Sequence, residues 1–223
     1  MGVWVYGPVM LILLACWPAL ALDVGVAPST RKLLGSDPVP DAQSVDLAAA
    51  LGEWEGFQIA VAGAATDVDV RVGDFAGAAT LSGGQAVLYR EHFLDIQDAS
   101  SGGVTDHERE PGLYPDPLIP FVDPWTGDAV GAPFSLGAGE LGVVYVDVQI
   151  PRDAVPGSYT ATVTVSTSAE TVDIPVALEV WPFEIPAERR IDIVQVRAEP
   201  RQGLPRRPRR DGRGGRAHHR PVL

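Results

Sequence analysis

The chain has a single cysteine, Cys16, and a single lysine, Lys32, among its 223 residues. One cysteine excludes an intramolecular disulfide, so a fold built from this chain must hold by packing. Bases are scarce before Ala187: six stand against 25 acids, a formal −19 that contrasts with −12 for the whole chain. A body of that sign repels phosphate, which excludes nucleic acid as its partner. No glycine-rich loop precedes a helix to cradle a phosphate, and no Asp-rich loop matches a calcium site. His92 and His107 have no neighbour at metal-ligand spacing, so both read as ordinary surface or half-buried residues and no metal or cofactor is expected. A long amphipathic helix is missing as well.

What is present is a strand grammar. In "VYVDVQI", Val144, Val146, Val148 and Ile150 share one parity and Tyr145, Asp147 and Gln149 the other. Period two with one apolar side marks a half-buried strand. Pro151 ends it, and Pro156-Gly157 turns the chain, glycine being free to take positive φ. Tyr159, Ala161, Val163 and Val165 then alternate with Thr160, Thr162, Thr164 and Ser166, threonine suiting an exposed sheet face. A third run carries Val172, Ile174, Val176, Leu178 and Val180; three such runs with short connections predict an antiparallel meander. Upstream, Val24–Ala27, Phe57–Val61, Val68–Val72 and Ala86–Ile96 read as further strands, and Asp46–Leu51 as one helical turn. Eight or nine strands in about 165 residues predict an all-β fold, a two-sheet antiparallel β-sandwich of immunoglobulin-like or jelly-roll-like type.

Both ends differ from this body. Residues 1–21 read as an export signal, with an apolar centre at Val9–Ala15, Pro18, and the small-residue site Ala19-Leu20-Ala21, so that cleavage falls between Ala21 and Leu22. The segment has no Lys or Arg before that site. Leu13-Leu14-Ala15-Cys16 offers a second reading, a lipobox that makes Cys16 a lipidated N-terminus; Val3 to Leu22 as an uncleaved anchor is a third. Each places the body outside the cytoplasm, in the periplasm, extracellular space or at the cell surface, and restricts membrane contact to a signal or lipid anchor.

Residues 187–223 hold eleven arginines against four acids, with no hydrophobic periodicity, and cannot bury enough apolar surface to fold. A basic arm, a natural disordered terminus and a shifted reading frame are the three accounts. Out-of-frame GC-rich DNA yields this Arg, Pro, Gly, Ala and His mixture, which favours the third.

Candidate chemistry is sparse. Two long stretches, Asp98–Pro120 and Val122–Gly142, read as irregular loops on the sheet scaffold, where binding tends to reside. Tyr114 and Trp125 give each an aromatic, and Asp116 sits between two prolines in "YPDPL". Tyr114 and Asp116 either support a neighbouring site or anchor a packed loop; Trp125 either stacks on a sugar ring or packs in a core or interface. Glu53 and Glu55, two apart on a strand, would stand about 6.5–7 Å apart, near the spacing of inverting glycosidase carboxylates; a structural role at the strand entrance is the competing account. Asp67 and Asp69 beside Arg71 read as a solvated face.

Four segments in order, "LGEWEGFQIAV", "GLYPDPLIP", "YVDVQIPRDAVPGSYTATVTV" and "VDIPVALEVWPFEIP", resemble the N-terminal β-sandwich of glycoside hydrolase family 123-like proteins, found also in related bacterial exported proteins. The resemblance spans about Val24 to Pro186. It implies a larger (β/α)-barrel after the sandwich, where an Asp-Glu pair assists removal of N-acetylgalactosamine from glycans. Nothing here matches that pair, so the resemblance transfers no catalytic residue. It implies a sandwich domain at 22–186, a non-catalytic support for a barrel missing from this chain, with that barrel and glycans as partners and Tyr114, Asp116 and Trp125 as contact candidates. An independent carbohydrate-binding or adhesive module is the alternative.

Overall fold

The computed structural model describes residues 22–98 and 110–188. Residues 1–21, with Cys16 and Ala21, and also His107 and 189–223, lie outside the described residues, and with them the signal, lipidation and frameshift expectations. Twelve strands follow one another among the described residues: β1 (Asp23–Pro28), β2 (Val45–Leu51), β3 (Trp54–Ala62), β4 (Ala65–Val72), β5 (Phe75–Gly77), β6 (Thr80–Leu81), β7 (Ala86–Ile96), β8 (Gly112–Pro120), β9 (Phe134–Leu136), β10 (Leu141–Gln149), β11 (Gly157–Ser166) and β12 (Thr171–Glu184). The single helical element among the described residues is a 3-10 turn at Gly83–Gln85, capped by Ser82.

Two sheets form the sandwich. One has the order β1-β3-β10-β7-β8; the other runs β2-β12-β11-β4-β9, with β5 and β6 attached at β11. The inward parity of the sequence is the core: Phe57, Ile59 and Val61 from β3, Val144, Val146 and Val148 from β10, and Val163, Val165, Ile174, Val176 and Leu178 from β11 and β12 are all at most 2% exposed. The sheets meet through these side chains in one cluster. Full burial of each is worth about 1.5–3 kcal/mol.

Three expectations need correction. The three-strand meander does not exist, because β10 and β11 lie in different sheets. Pro151–Pro156 carries the chain from one layer to the other, and only β11 and β12 form a hairpin. At that corner Tyr159 is buried and its hydroxyl donates to the Val155 carbonyl, a back-bond that fixes the turn into β11.

Asp46–Leu51 is strand, not helix. β2 pairs in parallel with β12, Leu47 beside Leu178 and Ala49 beside Val180, so tertiary pairing overrides the helical preference of its alanines. The sandwich is therefore antiparallel except for this one pair.

"GLYPDPLIP" is also a strand. β8 pairs with β7 from Ile96–Gly112 to Tyr89–Pro120. It lies at the sheet edge, where prolines that cannot donate are tolerated on the open side. The stretch from Val122 to Gly142 is irregular apart from β9 and the start of β10.

Candidate functional site

Part of the outer face of the five-stranded sheet does not meet water directly. Residues 29–44, between β1 and β2, cross it as a strap. Leu33 is fully buried and packs with Ala27, Ala60, Leu141 and Val143 in a second, smaller apolar cluster. Gln58 fastens the strap: it is 2% exposed, and its Nε2 donates to the Pro28 carbonyl at 2.8 Å and the Arg31 carbonyl at 2.6 Å. Further along, Gly35 N donates to Leu113 O at 3.0 Å, and Gln43 Nε2 to Val24 O at 2.7 Å.

Between strap and β8 a groove remains, a cavity of about 270 Å³. Ser29, Thr30, Arg31 and Lys32 line it from the strap, Pro115, Asp116 and Leu118 from β8, and Gln58, Glu91 and Tyr145 from the sheet between. Register explains the floor. Ala60, Val143, Glu91 and Leu118 stand abreast across β3, β10, β7 and β8, and Gln58, Tyr145, Tyr89 and Pro120 form the next row. Glu91 is thus the acid in an otherwise apolar row, and it is 9% exposed.

Burial pushes its carboxyl above the usual glutamate range, against the pull of Lys32. Burial likewise raises the Tyr145 hydroxyl, Asp147 adding to the effect and a hydrogen bond with Ser29 opposing it. Asp147, one row on, is raised by burial alone.

Of the residues singled out from sequence, Asp116 alone reaches this groove. It lies in a bulge: Leu118 pairs with Glu91 and Pro115 with Phe93, so Asp116 and Pro117 together oppose His92. Tyr114 pairs with Leu94 instead, and its hydroxyl donates to the Glu110 carbonyl at 2.7 Å. Trp125 is 90% exposed on a separate turn, where Asp123 Oδ1 accepts from Trp125 N at 2.8 Å and Thr126 N at 3.1 Å. A buried packing role for Trp125 in the sandwich core is therefore corrected. The structure does not bring the three together.

Glu53 and Glu55 are also apart in role. Glu53 Oε2 accepts from Ala50 N at 2.7 Å, closing the turn between β2 and β3, the structural role weighed from sequence. Glu55 lines another cavity with Asp46 and Leu47; burial raises its carboxyl first, then Glu53 and Asp147. Asp69 pairs with Arg71 at 3.3 Å on an open face, where such a pair contributes little. Among the described residues no three His, Cys, Asp or Glu side chains gather as a metal site, and no helix is long and apolar enough to cross a membrane.

A second feature lies at one end of the sandwich, where β2, β10 and β12 finish and β3, β7 and β11 begin. Ile150 N donates to Glu53 O at 2.8 Å, Gly52 N to Ile150 O at 3.0 Å and Ile185 N to Leu51 O at 3.0 Å, while Arg152 holds both the Glu184 carboxylate and the Ile185 carbonyl. Twelve large hydrophobics are exposed among the described residues; Trp181 and Phe183 stand near the end of β12 with Ile185 just beyond it, Trp54 opens β3 and Val155 precedes β11. Trp181 and Phe183 stack at 5.6 Å. Scattered apolar residues are ordinary on a surface; here three of them follow one another at the end of one strand.

Comparison with known proteins places the fold. No family model matches the chain, and no curated protein does. Among solved structures, a family 123 glycoside hydrolase from Clostridium perfringens, described in terms of glycolipid glycan hydrolysis, aligns with 74% of this chain at a TM-score of 0.56 and 16% identity. The alignment spans 28% of that enzyme's length. A β-glucosidase from Listeria innocua aligns with 74% of the chain and 16% of its own, at 14% identity and a TM-score of 0.28. The first likeness supports a shared sandwich fold with part of a glycoside hydrolase; the second is too loose to support anything.

Proposed function

We propose that this chain is the non-catalytic sandwich of a glycoside-hydrolase-like protein, exported from the cell, whose catalytic barrel follows the sandwich in full-length relatives. Its work is to hold that barrel and brace its loops. The observation that carries the reading is the apolar end of β12: Trp181 and Phe183 stack there in the open, with Ile185 exposed just beyond them, and the fold matches about a quarter of a longer family 123 enzyme. A face of this composition loses exposed apolar area when a following domain packs on it. The shifted-frame account of the tail belongs to the same proposal.

Sequencing the DNA around codons 187–200 and translating every frame tests it. An alternate frame continuing into alternating strands and helices is the expected result. If no frame does so, the support-domain reading fails for this gene. On the protein, replacing Trp181 and Phe183 together by serine lowers self-association of the full chain in sedimentation velocity, because the uncovered face is what drives it.

Trp125 favours a second reading, an independent carbohydrate-binding module. The Asp123 turn presents the indole almost wholly to water, as a stacking platform for a pyranose ring requires. Glycan-array binding by the full chain, lost in Trp125→Ala, would establish it.

A further inference from the structure

We propose that the groove between the strap and β8 is a binding site for a neutral polyhydroxylated molecule of single-sugar-ring size, held through the carboxylates of Glu91 and Asp116. This reading stands apart from the support role and from Trp125.

The first ground is an unpaired group. Glu91 is nine-tenths buried, yet no described residue hydrogen-bonds or ion-pairs with its carboxylate. Its row neighbours are Ala60, Val143 and Leu118, so packing alone calls for an apolar side chain there. No fully buried side-chain oxygen among the described residues lacks a hydrogen-bond partner, so the Glu91 oxygens keep an opening onto the groove they line. An arriving donor meets them there, beside apolar neighbours that strengthen a hydrogen bond. Burial already raises the Glu91 carboxyl, as expected of an acid awaiting a donor.

The second ground is the bulge. Two residues of β8 oppose one of β7 at Asp116–Pro117, and bulges of this kind re-aim side chains beside sites. Here the extra residue sets a second carboxylate in the lining of the same cavity as Glu91.

Charge and size then select the ligand. The lining carries Arg31 and Lys32 against Glu91 and Asp116, a formal balance that gives neither anions nor cations an advantage. Hydroxyl groups satisfy both kinds of neighbour, since each donates to a carboxylate and accepts from an ammonium or guanidinium. Tyr145 adds aromatic surface to the lining. A volume of about 270 Å³ sits just below the usual range for drug-sized ligands, a fit for one sugar ring.

The test is calorimetric or NMR titration of the full chain at neutral pH with N-acetylgalactosamine, glucose and glycine. At least one sugar should bind saturably in the millimolar range, weakened about tenfold by Glu91→Gln and about threefold by Asp116→Asn. Trp125→Ala should leave this binding unchanged. Saturable binding of glycine but of neither sugar overturns the proposal, as does equal sugar affinity in wild type and Glu91→Gln. No saturation by about 50 mM, or loss of binding in Trp125→Ala alone, overturns it too. Should Glu91→Gln fail to fold, Asp116→Asn decides by itself, because Asp116 is exposed and supports no packing.

Discussion

The two outward sheet faces of this sandwich solve the same problem in opposite ways. On the seven-stranded sheet, Thr160 and Thr162 face water, Thr164 Oγ1 donates to Asp173 Oδ1 at 2.8 Å, and Ser158 Oγ donates to Glu179 Oε2 at 2.7 Å. Every polar atom there has solvent or a near neighbour. On the five-stranded sheet the strap covers Ala60 and Val143 completely, leaving Gln58 and Glu91 in partial dryness. A face built for solvent reads as clean alternation. A face with a further layer on it loses alternation, as in β3, where six consecutive residues are buried. Polar side chains kept under such a layer have work to do: Gln58 ties the strap down, and Glu91 has no structural partner.

Substitutions that probe this contrast fall in a clear order under urea unfolding of the full chain. Leu33→Ala, which removes the strap's plug, should lose about 2–4 kcal/mol; a cost under about 1 kcal/mol would mean that the strap is not seated on the sheet. Gln58→Leu leaves the Pro28 and Arg31 carbonyls without their donor and should lose about 1–3 kcal/mol.

Glu91→Gln should do the reverse. Its folded pKa lies above the ordinary 4.5, so ionisation at neutral pH opposes folding, and that penalty disappears below the unfolded value. The variant should therefore melt about 1–3 °C higher at pH 7, with the difference fading as pH falls toward 4. A loss at pH 7 would show that the carboxylate has a stabilising partner. Thr162→Ala, on the open face, should change stability by no more than about 0.5 kcal/mol.

The fold's main lines were legible because burial on one side imposes period two. β4, β11, β12 and the second half of β10 carry it, and Ala86–Ile96 matches β7 end to end. β2 and β8 were misread for opposite reasons. The alanines of β2 mimic a helix, and its partner β12 lies far along the chain; the prolines of β8 mimic a loop, and only an edge position permits them. The jump between sheets at Pro151–Pro156 looks, in sequence, like any short turn.

The groove was half legible. Asp116 stands out between two prolines, whereas Glu91 looks like an ordinary outward acid until the strap closes over it. That closure rests on Gln58 meeting carbonyls at Pro28 and Arg31, a long-range pairing that no local pattern announces.

The parallel pairing of β2 with β12 has a consequence for biosynthesis. Val45 finds its sheet neighbour only when Val176 exists, so the ribosome must deliver nearly the whole sandwich before its seven-stranded layer can close. Until then β2 waits as an open edge, exposed to chaperones and proteases. A reading error upstream of β12 forfeits the layer outright, whereas one downstream of Glu184 releases a finished sandwich carrying whatever the ribosome appends.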